Sequence, residues 1–459
     1  MMTLKETRMR LISPTRHRLA PGKLGTLAAL VLAGLHGMAG AQSLQELYEG
    51  ARAFDATYLA ARANFQSVEY RVAQSDALTR PTLAATAGAS TALNDSPSTS
   101  GAKSTHSVSG ALNGRYPLFN RANGVTIEQA RKSLIVAQAD LDAAEQDLVV
   151  RLSQAYFDVL SAQDTLATTR ANKAATAEQL ASAKRNFEVG TATITDTREA
   201  QSRFDLGTFQ ELAAENELRT RRIALDTLVG KNNVAPKPLL VPVVLPTPAP
   251  ANAEEWVSVG DQQHPTVRRA RAGLDVATLE IAKARAAESP TLDAVASLGG
   301  SDARGTLPQL SRSVGTSAVA SIGVQMNWPL YTGGATQNRI KETLSLEEKA
   351  RNDLEAARRG VAQSARVAFF GVQSGLAQVK ALEAAEASTK LQLEATQLGY
   401  KVGVRVNLDV LNAQTLLFST QRDLAKARYD VLLGSLRLQQ ASGQLSAADI
   451  ATLNRLLAK

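Results

Sequence analysis

The 459-residue chain contains no cysteine. Disulfides, thiolate-held metals and cysteine nucleophiles are therefore excluded, and so is lipid acylation of a mature N-terminal cysteine. Histidine is almost as scarce, with four in all: His17, His36, His106 and His264. The first two fall in a leader-like segment. His106 lies in a Ser/Thr/Gly-rich stretch and His264 precedes Pro265 at a helix boundary, so both read as structural or solvent-facing. Beyond the leader no run of about 18 apolar residues occurs, so no transmembrane helix is expected. Glycine-rich phosphate loops, metal-ligand spacings and nucleophile constellations are also missing. An enzyme is not expected, nor is any cofactor or metal.

The N-terminus has its own character. Lys5, Arg8, Arg10, Arg16, Arg18 and Lys23 precede a short apolar stretch, Leu24 to Leu35, and Ala39-Gly40-Ala41 forms an A-x-A cleavage site. Residues 1–41 thus read as a secretory signal peptide, with cleavage before Gln42. They carry six basic residues and one acidic, so the formal charge of +8 falls to about +3 without them. A nucleic-acid partner is not expected from so small a surplus.

The mature chain repeats itself. Phe187-Glu188-Val189-Gly190 followed by Asp196 returns as Tyr400-Lys401-Val402-Gly403 followed by Asp409, an offset of 213. Tyr116-Pro117-Leu118-Phe119 returns as Trp328-Pro329-Leu330-Tyr331 at 212, and Arg80-Pro81-Thr82-Leu83 as Ser289-Pro290-Thr291-Leu292 at 209. A near-constant offset means two copies of one structural unit. The expected divisions are a first repeat at 42–234, a linker at 235–251, a second repeat at 252–443 and a C-terminal segment at 444–459. The linker carries Pro236, Pro238, Pro242, Pro246, Pro248 and Pro250 and is expected to run extended along the outside.

Each repeat reads helix, strand, loop, strand, very long helix, turn, long helix. Hairpins are expected over 83–118 and 292–330. In the first, Val108, Gly110, Leu112, Gly114, Tyr116 and Leu118 alternate with polar or small residues; in the second, Ala318, Ala320, Ile322, Val324, Met326 and Trp328 do so. Alternation over about ten residues, ended by an aromatic, suits a lipid-facing β-barrel strand. Four strands cannot close a barrel, and an open edge cannot face lipid, so several chains must build it together. Long helices are expected at 125–189, 195–229, 335–402 and 407–442. Ile127, Leu134, Leu141 and Leu148 are spaced by seven. After a four-residue step the row resumes at Leu152, Val159 and Leu166, and Lys173 interrupts it before Leu180 and Phe187. This is a heptad seam with a stutter. The fold class is therefore mainly α with a membrane β-barrel, built on an internally duplicated protomer. A periplasmic coiled-coil scaffold would share these helices but not the alternating hairpins.

Tyr116-Pro117-Leu118-Phe119, Trp328-Pro329-Leu330-Tyr331-Thr332-Gly333-Gly334, Val189-Gly190 with Ile194-Thr195-Asp196, and Gly399-Tyr400-Lys401-Val402-Gly403 carry a resemblance to the TolC family of outer-membrane factors. Asp409-Val410-Leu411 and Ala427-Arg428-Tyr429 complete it, in order, over essentially the whole mature chain. The resemblance implies a homotrimer in which a twelve-stranded outer-membrane barrel continues into a periplasmic α-helical tunnel with a mixed equatorial region. It further implies a periplasmic adaptor, an inner-membrane ABC transporter or proton-driven pump, and outer-membrane lipid as partners. The cysteine-free, non-acylated members resemble the group serving type I protein secretion, with multidrug efflux as the alternative cargo route.

By matching position, Thr195, Asp196, Tyr400 and Arg405 would close the tunnel's far end, and the turns at Val189, Gly190, Val402 and Gly403 would meet the adaptor. Tyr116, Phe119, Trp328 and Tyr331 would anchor the membrane interface. Asp409 would sit in the pore constriction, where the family's familiar pattern has a second aspartate one helical turn on and this chain has Asn412. One carboxylate ring instead of two weakens the local field on cations. Asn412→Asp is therefore expected to strengthen block by multivalent cations in planar-bilayer recordings, and unaltered block would defeat that reading.

Overall fold

The computed structural model describes residues 42–94, 103–240, 242–305 and 315–458. The expected leader at 1–41 and the hairpin ends at 95–102 and 306–314 lie outside them. The first repeat runs α1 (Leu44–Phe54), α2 (Ala56–Asp76), β1 (Thr82–Asn94), β2 (Lys103–Phe119), α3 (Arg121–Glu188) and α4 (Ile194–Val229). The second runs α5 (Ala253–Gln263), α6 (Pro265–Ala286), β3 (Thr291–Gly305), β4 (Gly315–Asn327), α7 (Ala335–Lys401) and α8 (Asn407–Ala441). A short α9 (Ala447–Asn454) follows.

At 68 residues α3 extends about 100 Å. It begins four residues ahead of the expected start, because the Asn120 side chain accepts the Asn123 amide and caps it there. Its seam is buried on both sides of the four-residue step, at Leu148, Leu152, Val159, Leu166 and Leu180. The interruption at Lys173 has a packing reason. Its stem lies over Gly207 of α4, where a Cβ would stand 3.6 Å from the lysine Cβ. The ammonium reaches Glu211 at 2.9 Å and sits 5.5 Å from the Phe204 ring centroid. A long amphipathic stem fills a groove opened by a missing side chain.

α3 changes partners along its length. Its first half is tied to α2 and α6 by Arg131–Asp76, Lys132–Asp275 and Arg268–Asp142. Its second half is tied to α4 by Arg170–Glu211 and Arg221–Asp158. α7 behaves in parallel, meeting α6 through Arg339–Glu280 and α8 through Arg428–Glu383. These exposed pairs contribute about 0–1 kcal/mol each; they set register along helices whose contact surface is narrow.

The main core sits where the partners change. Leu44, Leu47, Leu148, Leu152, Tyr156, Leu160, Leu225, Leu432, Leu436 and Ile450 are buried together there. Tyr156 donates its hydroxyl to the Lys237 carbonyl at 2.9 Å, satisfying the polar tip of a buried ring. The proline-rich linker does not run free of the fold. Its Ala235 carbonyl accepts from the Gln42 amide, its Pro238 carbonyl accepts from the Ala458 amide, and its Leu240 amide donates to Leu456. It also closes over an apolar cavity of about 440 Å³ lined by Trp256, Leu436 and Leu453.

The four strands form one antiparallel sheet in the order β1-β2-β3-β4. β2 pairs with β3, joining the two repeats. Pairing runs far out along both hairpins: β2 starts at Lys103, placing His106 in the strand beside Thr91 (2.9 Å), and β3 runs on to Gly305. β4 ends at Asn327, ahead of Trp328 and Pro329. Cross-strand partners share a face, and the registers make each face continuous. One carries Leu83, Val108, Leu112, Tyr116, Leu298, Ile322, Val324 and Met326; the other carries Thr86, Ser90, Ser107, Asn113, Ser297, Ser301, Ser317 and Ser321. Serine pairs bridge the polar face at Ser90–Ser107 (2.7 Å), Ser297–Ser321 (2.7 Å) and Ser301–Ser317 (2.9 Å). The apolar face is exposed in the protomer, Ile322 by 89 %.

Gly443, just past α8, is left-handed (φ +73°), and a Cβ there would lie 2.5 Å from the His264 Cα. Gly443→Ala is expected to cost roughly 2–5 kcal/mol from backbone strain plus overpacking. Gly403 shares the conformation (φ +82°) with nothing within 4 Å, so Gly403→Ala should cost only about 1–2 kcal/mol. Thermal unfolding followed by far-UV circular dichroism checks the difference.

Candidate functional site

Both long hairpins turn at one end of the molecule by the same device. In the first, the Thr191 and Ala192 amides both donate to the Asn186 carbonyl (2.7 and 3.1 Å) and Gly190 takes φ +78°. In the second, the Val404 and Arg405 amides both donate to the Gly399 carbonyl (2.9 and 3.2 Å), around Gly403. Glycine reaches this left-handed conformation without a Cβ penalty, which is why Val-Gly stands at both turns. Val189 and Val402 are the exposed residues that end the outgoing helices, and Ile194, Val404 and Val406 extend the apolar collar.

The return helices start differently. Thr193 caps α4: its hydroxyl accepts the Asp196 amide at 3.2 Å, and the Asp196 carboxylate accepts the Thr193 amide at 3.0 Å and its hydroxyl at 2.7 Å. Thr195 hydrogen-bonds the same Thr193 hydroxyl. Within the protomer Asp196 is thus held by its own turn. The matching position of the second repeat is Val406, which has no side-chain cap to offer. Asp409 is therefore spared from capping and lies 3.6 Å from the Arg405 guanidinium.

Close to the tips, two side-chain bonds join the hairpins among the described residues. The Asn186 amide donates to the Tyr400 hydroxyl at 3.0 Å, and Arg203 Nη2 donates to Asn412 Oδ1 at 3.1 Å. Beneath them Leu180, Ala183, Ala200 and Leu411 form a small buried cluster, with Phe204 packed against it. Higher in the same seam, Tyr429 of α8 donates to Asp164 of α3 at 2.6 Å. Burial pushes the Asp164 carboxyl above the usual range, partly offset by that bond, and burial also raises the Tyr429 hydroxyl. Of the anticipated tip residues, Tyr400 and Asn412 meet partners on the other hairpin, whereas Thr195, Asp196, Arg405 and Asp409 are engaged within their own turns. Thr193-x-x-Asp196 has the local spacing of a capping box, a signal that could have found Thr193. Asn186 and Arg203 carry no local signal, since their partners lie over 200 residues away.

At the opposite end of the helices, Tyr116, Phe119, Trp328 and Tyr331 gather where the strands join them, all exposed in the protomer. Phe119 lies at a register shift of β2, and Trp328 Nε1 donates to the Glu288 carbonyl at 3.2 Å. Arg115 and Asp293, paired at 2.6 Å, clamp β2 to β3 at that level. His264 caps α6, its Nδ1 accepting the Thr266 amide at 3.1 Å, and burial lowers its pKa. Among the described residues no group of three metal-binding side chains occurs, and no helix is long and apolar enough to cross a membrane.

The outer membrane efflux protein family model matches residues 47–231 and 256–444, the two repeats in turn. Outer membrane protein TolC of Vibrio cholerae serotype O1 is 32 % identical over 436 residues, covering 94 % of this chain and 95 % of the relative. The alkaline protease secretion protein AprF of Pseudomonas aeruginosa is 32 % identical over 73 % of this chain and 69 % of its own length. Among solved structures, CusC superposes with a TM-score of 0.75 at 20 % identity, over 88 % of this chain and 92 % of that one.

The bond between Asn186 and Tyr400 predicts an energetic coupling. In a double-mutant cycle of Asn186→Ala and Tyr400→Phe, read by urea unfolding, the pair is expected to couple by about 0.5–1.5 kcal/mol. Asp196→Asn with Tyr400→Phe should be additive within the protomer, because Asp196 spends its carboxylate on Thr193.

Proposed function

The chain belongs to the outer membrane efflux protein family, and from that premise we propose that three copies form one export duct for unfolded protein. The family consists of outer-membrane channels rather than enzymes, and this protein is an outer-membrane channel component. The observation that carries the trimer is the open sheet. β1 and β4 each have one unpaired edge among the described residues, and an apolar face continues up to both. Unpaired backbone groups cannot face hydrocarbon. Pairing β1 of one copy with β4 of the next, three times over, turns four strands into twelve and leaves no edge. The apolar face then meets lipid, the serine- and threonine-rich face lines the lumen, and Tyr116, Phe119, Trp328 and Tyr331 stand at the interface.

The helices carry the duct away from the sheet, and the Gly190 and Gly403 turns close it. In this reading Thr195, Asp196, Tyr400 and Arg405 hold the closed tips, Asp409 gives the constriction one carboxylate ring, and Asn412 stands where a second would be. The valine collar at Val189, Val402, Val404 and Val406 offers small apolar surfaces to a helical adaptor hairpin. The duct has no energy-converting site of its own, so an ABC transporter or proton-driven pump of the inner membrane supplies the work through that adaptor.

Two features support protein as cargo. The absence of cysteine leaves the chain non-acylated, and relatives include proteins named for protease secretion, AprF and, in Dickeya chrysanthemi, PrtF. The family name itself supports a second reading, small-molecule efflux. Deleting the gene separates the two. The first predicts loss of specific proteins from the culture supernatant, while an intact supernatant with new sensitivity to dyes and drugs would replace it with the second.

A further inference from the structure

Asn412 follows Asp409 by one turn on α8, and its side-chain oxygen is taken by Arg203 of α4 at 3.1 Å. Among the described residues the one carboxylate within ion-pair reach of Arg203 is Glu199, at 3.8 Å on its own helix. Arg203 therefore spends its shortest contact on a neutral amide. An amide orients a guanidinium but cancels none of its charge, whereas a carboxylate at the same place would form a charge-assisted pair and cancel most of it. The two helices that carry Asp409 and Arg203 are held together directly beneath, through Leu411 and Ala200 in one buried cluster.

We propose that Arg203 determines the ion preference of the duct's closed end, its positive charge offsetting the Asp409 ring because Asn412 does not neutralise it. The inference rests on the reading that the hairpin tips close the duct. Each protomer sets the Arg203 and Arg405 guanidiniums beside the Asp409 and Glu199 carboxylates, and three protomers make rings of both signs. Such an end favours neither sign strongly and admits both the acidic and the basic side chains of an extended polypeptide. The exchange at 412 also acquires a second meaning. A carboxylate introduced there pairs with Arg203 and removes its offset, so the Asp409 ring acts on cations with less opposition.

The test is ion selectivity of reconstituted trimers in planar bilayers under a salt gradient, for Arg203→Gln, Arg203→Lys, Asn412→Asp and the Arg203→Gln/Asn412→Asp pair. Arg203→Gln is expected to raise the cation-to-anion permeability ratio severalfold, since losing a positive charge lowers the energy of a cation and raises that of an anion at the same place. Arg203→Lys, keeping the charge and losing the forked geometry, retains the wild-type preference. Asn412→Asp alone shifts the ratio in the same direction and by a similar amount, because its carboxylate neutralises Arg203, and the pair shifts it further. An unchanged ratio in Arg203→Gln, or a shift in Arg203→Lys matching that of Arg203→Gln, overturns the inference. Trimer retention on native gels shows that a shift is not partial unfolding. Wild-type trimers without conductance would overturn the duct reading itself, not the assignment of Arg203 within it.

Discussion

A strand edge that meets hydrocarbon must be paired, and the rest of this molecule follows from that requirement. The sheet has a continuous apolar face, a continuous hydroxyl-bearing face and two open ends. One chain cannot satisfy its own outermost backbone groups in lipid. Closure by neighbouring copies fixes which way each face points and how wide the lumen is. It also fixes where the long helices leave the membrane. Their length of about 100 Å then sets the span of the periplasmic portion.

Duplication supplies that architecture economically, and its imperfections carry the specific chemistry. Both tips turn on a glycine and a shared pattern of amides bonded to one carbonyl. Only the first has Thr193 to complete a cap; Val406 in the second leaves Asp409 available to other groups. Lys173 breaks a leucine seam where Gly207 makes room for its stem. Arg203 and Asn412 meet across the hairpins without a counterpart of the same kind in the other repeat. A wall needs equivalence, because its helices pack side by side around one axis. The tips, where the proposed closure lies, are where the two repeats differ.

Much of this was legible in the amino-acid order. The period of 213, the alternating hairpins, the uninterrupted helices and the Val-Gly turns are local or self-referential signals, and each rests on a backbone preference that needs no distant partner. Element ends were less certain. Pairing placed His106 in β2 and ended β4 at Asn327, ahead of Trp328, and the Asn120 cap brought α3 forward to Arg121. The linker's proline content implied an extended path but not its stitching to Gln42, Leu456 and Ala458.

The partners of individual side chains lay beyond such reading. Asn186 with Tyr400, Arg203 with Asn412 and Tyr429 with Asp164 join residues over 200 positions apart, and no periodicity links them. Sequence alone settled the repeat, the kinds of element, the two-faced strands and the conclusion that one copy is not enough. These depend on the chain's own stereochemistry and on which side chains water rejects. Which polar groups meet at the tips depended on how two 36- and 35-residue return helices pack against the helices before them. That packing is set by burial summed along the whole seam, and a shift of a single turn would give every tip residue a different neighbour.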